Sequence, residues 1–551
     1  MSLRNRLVLP IILSGLAALA GCGSTNSVVP PPSGAFSNTD FSGTYTFSVE
    51  GSDVNGPFMM VGSLTACGCT GGTISGGTVD FDDAINGVPN ILPGSAIGSN
   101  STYNIDKDGR GTANLVITPT GGTAFPATVA FVLTSSSHGL IIRYDSGGSG
   151  SGTIDLQPSA VSQSAIENTP YAFSLSGAFG NGSLATVGSF TLNSSGQVST
   201  GVQDFNQNGI ADGGTNPPSP YAITAGSVAV GSGTTPGSAT LTTSFGTINF
   251  DVYAIDATHL KLIESDGIAL LVGDVFSQPS ASIPQGNLVF TMEGLDTSGN
   301  EFATGGLMAS DGNSLIISGS EDINDDGTVD GGVTPAVPYP FSGGFSTVGD
   351  GRFLVTLTNF LGGTSFAAYP SSGGILMMEV DLGFNVGTGN SGVTSGVALA
   401  QTEGAAIAAT QGYGLNNTGE DVVGPAELDE IAQFTTTSTG MTGVLNDNDG
   451  FALGSSNVNG TYAPGSNGAG SATIGSRLQS IFYYAADSST VLFISTDPNQ
   501  AASGVFEAQT APSGNADQVS TARPRALPML RALPRSRKGT PHGQGKIGSA
   551  K

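Results

Sequence analysis

The sequence predicts an all-β protein of four tandem antiparallel domains, each with about eight strands, and favours an up-and-down barrel over a sandwich. Three observations carry this. Short alternating runs bounded by Gly, Asn, Asp and Ser recur along the body, and no stretch sustains a helical period. Glycine supplies 84 of 551 residues and tryptophan none, which suits a loop-rich β protein. The same opening strand is also written four times: "YTFSVEG" (Tyr45–Gly51), "YAFSLSG" (Tyr171–Gly177), "LVFTMEG" (Leu288–Gly294) and, eroded, "YGLNNTG" (Tyr413–Gly419).

The opening glycines are spaced by 126, 117 and 125 residues, far too long for solenoid turns and long enough for a separate core in each repeat. A late strand pair recurs in step, closing on Asp145, Asp266, Asp381 and Asp497, and each repeat ends on a glutamine: Gln157, Gln278, Gln401 and Gln509. The expected β-domains are residues 40–158, 168–279, 285–402 and 408–510. In the first, the strands read as Tyr45–Val49, Met59–Thr65, Thr73–Phe81, Ser101–Ile105, Thr112–Ile117, Ala127–Thr134, Leu140–Tyr144 and Thr153–Gln157. Tyr45, Phe47 and Val49 share one face, with Thr46 and Ser48 on the other. Phe250, Val252 and Ala254 alternate with Asp251 and Tyr253 in the same way. Turns such as "DKDGRG" (Asp106–Gly111) have hairpin chemistry, because Asp and Gly accept positive φ. Consecutive hairpins without crossover-length segments point to a meander that can close and remove its edges. The repeated aspartates and glutamines read as architecture: a shared turn or cap, and groups that satisfy backbone atoms where each repeat closes.

The chain opens "MSLRNRLVLPIILSGLAALAGCGS", with Arg4 and Arg6 before an apolar run from Leu7 to Ala20. This is a secretory signal, residues 1–21, and too short for a spanning helix. Leu19-Ala20-Gly21-Cys22 resembles the lipobox of bacterial lipoproteins. That resemblance implies cleavage before Cys22, a diacylglycerol on its thiol, and anchoring of an exported chain to the membrane. Gly23 in place of aspartate then implies the outer membrane or cell surface. Residues 22–39, rich in Ser, Pro and Gly, read as a flexible tether. The body is also similar to exported tandem β-repeat lipoproteins, a resemblance that implies no activity.

Charge is divided sharply. Residues 30–510 hold six Lys and Arg against 41 acids, whereas residues 511–551 hold eight of the sixteen cations. The acidic body excludes nucleic acid as a partner, since it cannot supply phosphate contacts. It attracts cations instead. The basic tail reads as disordered.

Two loops hold the sharpest motif. "DFNQNGIADGG" (Asp204–Gly214) and "DINDDGTVDGG" (Asp322–Gly332) place oxygen side chains at alternate positions before a glycine. They resemble short calcium loops of the dockerin or thrombospondin-repeat kind. The implied ligands are Asp204, Asn206, Asn208 and Asp212, and Asp322, Asn324, Asp326 and Asp330. Thr215 and Val333 stand where an EF-hand has its bidentate glutamate. Repeat one has Ala84 at the fifth position, and repeat four, "LNDNDG", aligns with Leu445 at the first. The other reading is a polar turn that the fold requires.

Cys67 and Cys69 flank one glycine; a local disulfide, two thiols and a soft-metal pair are the readings for an exported chain. His138, His259 and His542 are the only histidines, and no nucleophile elbow, zinc helix or phosphate loop lies in the body, so the chain reads as a non-enzyme. The leading expectation is a structural, adhesive or macromolecule-binding envelope protein, its domains extended as a stalk and calcium a possible stiffener. The alternative is a barrel that holds a small apolar ligand or a glycan.

Overall fold

The computed structural model describes residues 29–85, 88–180, 182–333, 336–359, 362–381, 392–475, 477–478 and 480–511. Cys22, the signal and the tail beyond Ala511 lie outside the described residues; of the expected flexible tether, residues 29–39 are described, and Phe36 is buried in the core of barrel 1 with its N–H donating to Lys107 O. The body is nearly all strand, arranged as four antiparallel sheets that each curl into a barrel.

Each sheet is a meander whose last strand returns to its first. In barrel 1, Ser42–Asp53 pairs with Gly148–Gln157, from Thr44↔Gln157 to Asp53↔Gly148. Pro170–Phe179 with Leu270–Ser277, Gly286–Leu295 with Val393–Ala400, and Gly412–Asp421 with Gln500–Ala508 repeat this in barrels 2, 3 and 4. Barrels 3 and 4 close fully with eight strands. Barrel 1 closes through a two-residue ladder, Ala96↔Thr118 and Ile97↔Ile117. Barrel 2 closes through the single bridge Gln197↔Ser227.

Barrel 1 has one strand more than the sequence suggested. Val88–Ile97 pairs with Ile74–Ile85 although it carries Pro89 and Pro93. Its register slips between Val79 and Phe81, where an irregularity absorbs Pro93-Gly94. Proline is tolerated at such bulges and hides a strand from pattern reading.

Alternation sorts residues as expected, but the outward face is not solvent. Tyr45, Phe47 and Val49 fill barrel 1; Phe250, Val252 and Ala254 fill barrel 2. The outward Thr46, Ser48 and Tyr253 are buried too, against neighbouring strands and barrels. Separate apolar clusters join the barrels. Met59 and Val61 pack with Tyr253, Ile263 and Val272 between barrels 1 and 2. Val187 and Ala185 pack with Ala367, Tyr369 and Leu376 between barrels 2 and 3. Val289 of barrel 3 and Val132 and Leu140 of barrel 1 share a cluster with Tyr484, Ile431 and Val505 of barrel 4.

The contacts run head to tail. The first two strands of each barrel meet the last three of the next: Gly182–Leu192 against Gly362–Ser371, Glu301–Ser310 against Gln500–Ala508, and Ala426–Thr436 against Gly148–Gln157. The last of these joins barrel 4 to barrel 1. A heterologous contact either runs on as a filament or closes, according to its rotation. Here it closes after four, so the body is a ring with approximate four-fold symmetry. This corrects the expectation of an extended stalk.

The recurrent opening glycine follows from close strand approach. A Cβ on Gly51, Gly177, Gly294 or Gly419 would lie 2.1, 1.9, 2.0 or 2.2 Å from a carbonyl oxygen of the paired last strand. Only glycine fits that crossing.

Candidate functional site

The repeated polar residues converge on the four junctions. Each terminal glutamine donates from Nε2 to the same carbonyl of the following barrel. Gln157 reaches Ala254 O at 2.7 Å, Gln278 reaches Pro370 O at 2.9 Å, Gln401 reaches Ala485 O at 2.8 Å, and Gln509 reaches Leu133 O at 2.9 Å. They satisfy backbone atoms where each repeat closes, as expected, and the atoms they satisfy belong to the next barrel. The strand-end aspartates are internal caps. Asp145, Asp266 and Asp381 accept the N–H of Thr128, Asn249 and Ser365, while Asp497 accepts that of Asn499 in its own turn.

The two quoted loops resolve residue by residue. Asn208-Gly209 and Asp326-Gly327 are two-residue hairpin turns with φ of 53° and 77°, and 50° and 80°. Asp212 and Asp330 take positive φ and accept the N–H of Phe205 and Ile323 at 3.0 and 2.9 Å. Asn206 and Asn324 accept the N–H of Gly209 and Gly327 with Oδ1. Their Nδ2 atoms point out of the loop. Asn206 donates to Glu379 O and Gly392 O at 2.9 Å each; Asn324 donates to Ser495 O and Gln500 O at 2.8 and 2.7 Å. Each amide therefore pins two strand ends of the next barrel.

The first-position aspartates cross the same junctions. Asp204 is fully buried and accepts the Arg352 guanidinium at 2.9–3.0 Å from Nε and the Tyr369 hydroxyl, both from barrel 3. Asp322 accepts the Tyr484 hydroxyl of barrel 4 at 2.6 Å. Burial, and then Asp330 nearby, push Asp322 up to about 7; burial and Asp204 push Asp212 up to about 9. A cation at either loop would have to displace these bonds. Among the described residues, no three His, Cys, Asp or Glu side chains are grouped to hold a metal ion.

Ladder register corrects the alignment of repeat four. Asn448 pairs with Asp429, as Asn206 pairs with Ala185, so Asn448 and Asn446 are the counterparts of Asn206 and Asp204. Asn448 Nδ2 donates to Arg143 O and Gly148 O of barrel 1 at 2.9 and 2.7 Å. The hairpins are equally long, Asn206↔Ala211 and Asn448↔Leu453, but the glycine moves from the second turn position, Gly209, to the first, Gly450, which shifts the motif by one residue. Val132 of barrel 1 stands where barrels 2, 3 and 4 have Tyr253, Tyr369 and Tyr484. The tyrosine is thus missing where Asn446 replaces the aspartate.

A histidine and a lysine serve junctions as well. His138 lies between Asp155 at 2.7 Å and Glu507 of barrel 4 at 2.8 Å. Burial opposes its charge, but the two carboxylates outweigh this and push it up to about 9. His259 and Lys261 both contact Asp274 of their own barrel, and Lys261 Nζ also donates to Ser48 and Thr153 of barrel 1. Each ring nitrogen of His138 faces a carboxylate, which leaves none to activate a nucleophile. Cys67 and Cys69 are joined as a disulfide at a hairpin tip, 5.2 Å apart at Cα.

Each barrel interior is occupied by its own side chains. In barrel 1 Phe41 stacks near Tyr45, Tyr103 and Phe131; in barrel 4 Phe434 and Phe493 pack on Phe506. A shallow cavity of about 520 Å³ lies beside the linker from barrel 3 to barrel 4, lined by Asn287, Gln401, Glu403 and Asn467.

No family model matches the chain, and no curated protein does. Among solved structures, it is similar to a double mutant of the vaccine antigen transferrin binding protein B from Haemophilus parasuis Hp5. That likeness has 9% identity over 69% of this chain and 82% of the other, with a TM-score of 0.18. Intact Ap-TbpB, with its N and C lobes, matches at 10% identity over 68% of this chain and 83% of that one, with a TM-score of 0.14. At these scores neither likeness bears on what this chain does.

Proposed function

We propose that this chain is a lipid-anchored envelope protein whose four-barrel ring presents its outer surface to a macromolecule. One observation carries the reading: each barrel core is filled by its own side chains, so recognition falls to the exposed loops and walls. A ring with apolar clusters between barrels is a stiff platform, and stiffness lowers the entropy lost on binding. The acidic surface favours a cationic partner surface. Residues at the two ends of the ring lie together: Ala511 N donates to Ser33 Oγ at 3.1 Å. The segments bearing Cys22 and the basic tail therefore depart from one place, which becomes the membrane side, and the hairpins remote from it become the binding side.

Labelling with a radioactive fatty acid tests the anchor: label on the exported chain, lost in Cys22→Ala, supports it. Titration with fluorescent fatty acids and a glycan panel tests the surface reading. Saturable uptake of a small apolar ligand would replace it with the barrel-ligand alternative.

A further inference from the structure

The junction of barrels 1 and 2 departs from the other three. At those three, an asparagine amide donates two N–H groups to two carbonyls of the next barrel. Register identifies the fourth member. Asp82 pairs with Met59, opposite the place where Asn206 pairs with Ala185. The carbonyls equivalent to those of Glu379 and Gly392 belong to Glu264 and Ala269. Asp82 thus brings oxygens where its counterparts bring N–H groups.

Asp82 is 0% exposed, and neither of its carboxylate oxygens has a hydrogen-bond partner. Glu264, 1% exposed, has Oε2 without a partner, and Asp80, 2% exposed, has Oδ2 without one. Asp80 on the same strand, and Asp251 and Glu264 from barrel 2, all act on Asp82 electrostatically. Tyr253 of barrel 2 lies against Asp80. Lys261, the one Lys or Arg of barrel 2, is committed to Asp274, Ser48 and Thr153. An uncompensated buried carboxylate costs several kcal/mol, so something positive belongs between these oxygens.

We propose that a divalent hard cation of the calcium class bridges barrels 1 and 2, held by the carboxylates of Asp82 and Glu264 and the backbone carbonyls of Glu264 and Ala269. An all-oxygen set mixing carboxylates with carbonyls suits calcium, whose coordination is flexible and completed by water. The ion does the work that amide protons do at the other junctions. Because only two side chains contribute, the site has no sequence spacing of a calcium loop.

The test is calcium titration of the full exported chain near neutral pH, by calorimetry and by melting, in wild type, Asp82→Asn, Asp322→Asn and Asp212→Asn. The expected result is one ion per chain and a melting temperature raised by about 2 °C in about 10 mM calcium over chelator. Both effects vanish in Asp82→Asn, which restores an amide, and persist in Asp322→Asn and Asp212→Asn. If Asp82→Asn fails to fold, Glu264→Gln serves as the second variant, with weakened or lost binding expected. Absence of heat and of any shift in wild type overturns the proposal. A melting temperature that ignores calcium but falls with rising pH, flattened by Asp82→Asn, assigns the place to a proton instead. Calcium binding that survives in Asp82→Asn and Glu264→Gln overturns it as well.

Discussion

The junction of barrels 2 and 3 and that of barrels 3 and 4 use the same parts. Each has a buried aspartate meeting a tyrosine of the next barrel, an asparagine pinning two carbonyls, and a second aspartate that closes the hairpin. They differ by one guanidinium. Arg352, 1% exposed, is bound to Asp204, whereas Asp322 has Tyr484 alone from its neighbour. The comparison teaches that the repeat fixes junction geometry, while a single unrepeated residue fixes its charge balance. Each junction still holds a raised acid: burial and the neighbouring Asp330 push Asp322 up to about 7 at the second, and burial and Asp204 push Asp212 up to about 9 at the first, where Arg352 opposes the rise.

The largest test of this contrast removes the guanidinium. Arg352→Met leaves the buried Asp204 without its cation, with the Tyr369 hydroxyl as its remaining partner across the junction, and is expected to cost about 3–5 kcal/mol in urea unfolding. Adding Asp204→Asn should recover most of that loss. An Arg352→Met chain of unchanged stability would break the comparison.

Acidity sharpens the contrast at the other junction. The ordinary value of Asp322 is near 4, and its folded value is about 7. The native state then keeps a proton that the unfolded chain has lost between those values. Its stabilising effect is complete below pH about 4 and disappears as pH rises through about 7. His138 acts in the same direction at the ring's closing junction, its contribution fading as pH rises through about 9. Melting followed from acid to alkaline pH should fall, by roughly 2–4 kcal/mol from Asp322, and Asp322→Asn should flatten that part.

Backbone approach gives a somewhat smaller effect. Gly177→Ala drives a Cβ into Leu270 O and Met59 of barrel 1, with an expected loss of about 2–3 kcal/mol. Gly180→Ala, whose Cβ would meet nothing within 4 Å, should lose only about 1 kcal/mol, the strain of its φ of 61°. Equal losses would mean that strain alone, without collision, explains the repeated glycine.

The smallest expected changes separate an inner junction from the ring closure. Gln278→Ala and Gln509→Ala each strand one or two carbonyls and should cost about 1–2 kcal/mol. If the ring is closed in solution, the two losses match. A harmless Gln509→Ala beside a costly Gln278→Ala would leave barrel 4 undocked from barrel 1.

The sequence by itself determined the fourfold repeat, the hairpins and the strands other than the proline-bearing Val88–Ile97. These are local: alternation is read over a few residues, and Asn208-Gly209 or Asp326-Gly327 fixes a turn through its own φ preferences. It could also show that Asp204, Asn206, Asp322 and Asn324 matter, because they recur. It could not show why. Their partners, Arg352, Glu379, Tyr484 and Ser495, lie about 150–175 residues onward in the next repeat, where no spacing connects them. The same oxygen-rich pattern suits a calcium loop read alone and an inter-barrel joint read in place. The replacement of Leu445 by Asn446 as the counterpart of Asp204, and the buried isolation of Asp82, needed ladder register. Only the tertiary structure decided between stalk and ring. That choice depends on the rotation between successive barrels, which arises from the packing of Met59 on Tyr253 and of Val187 on Tyr369, and which no periodicity in the chain encodes.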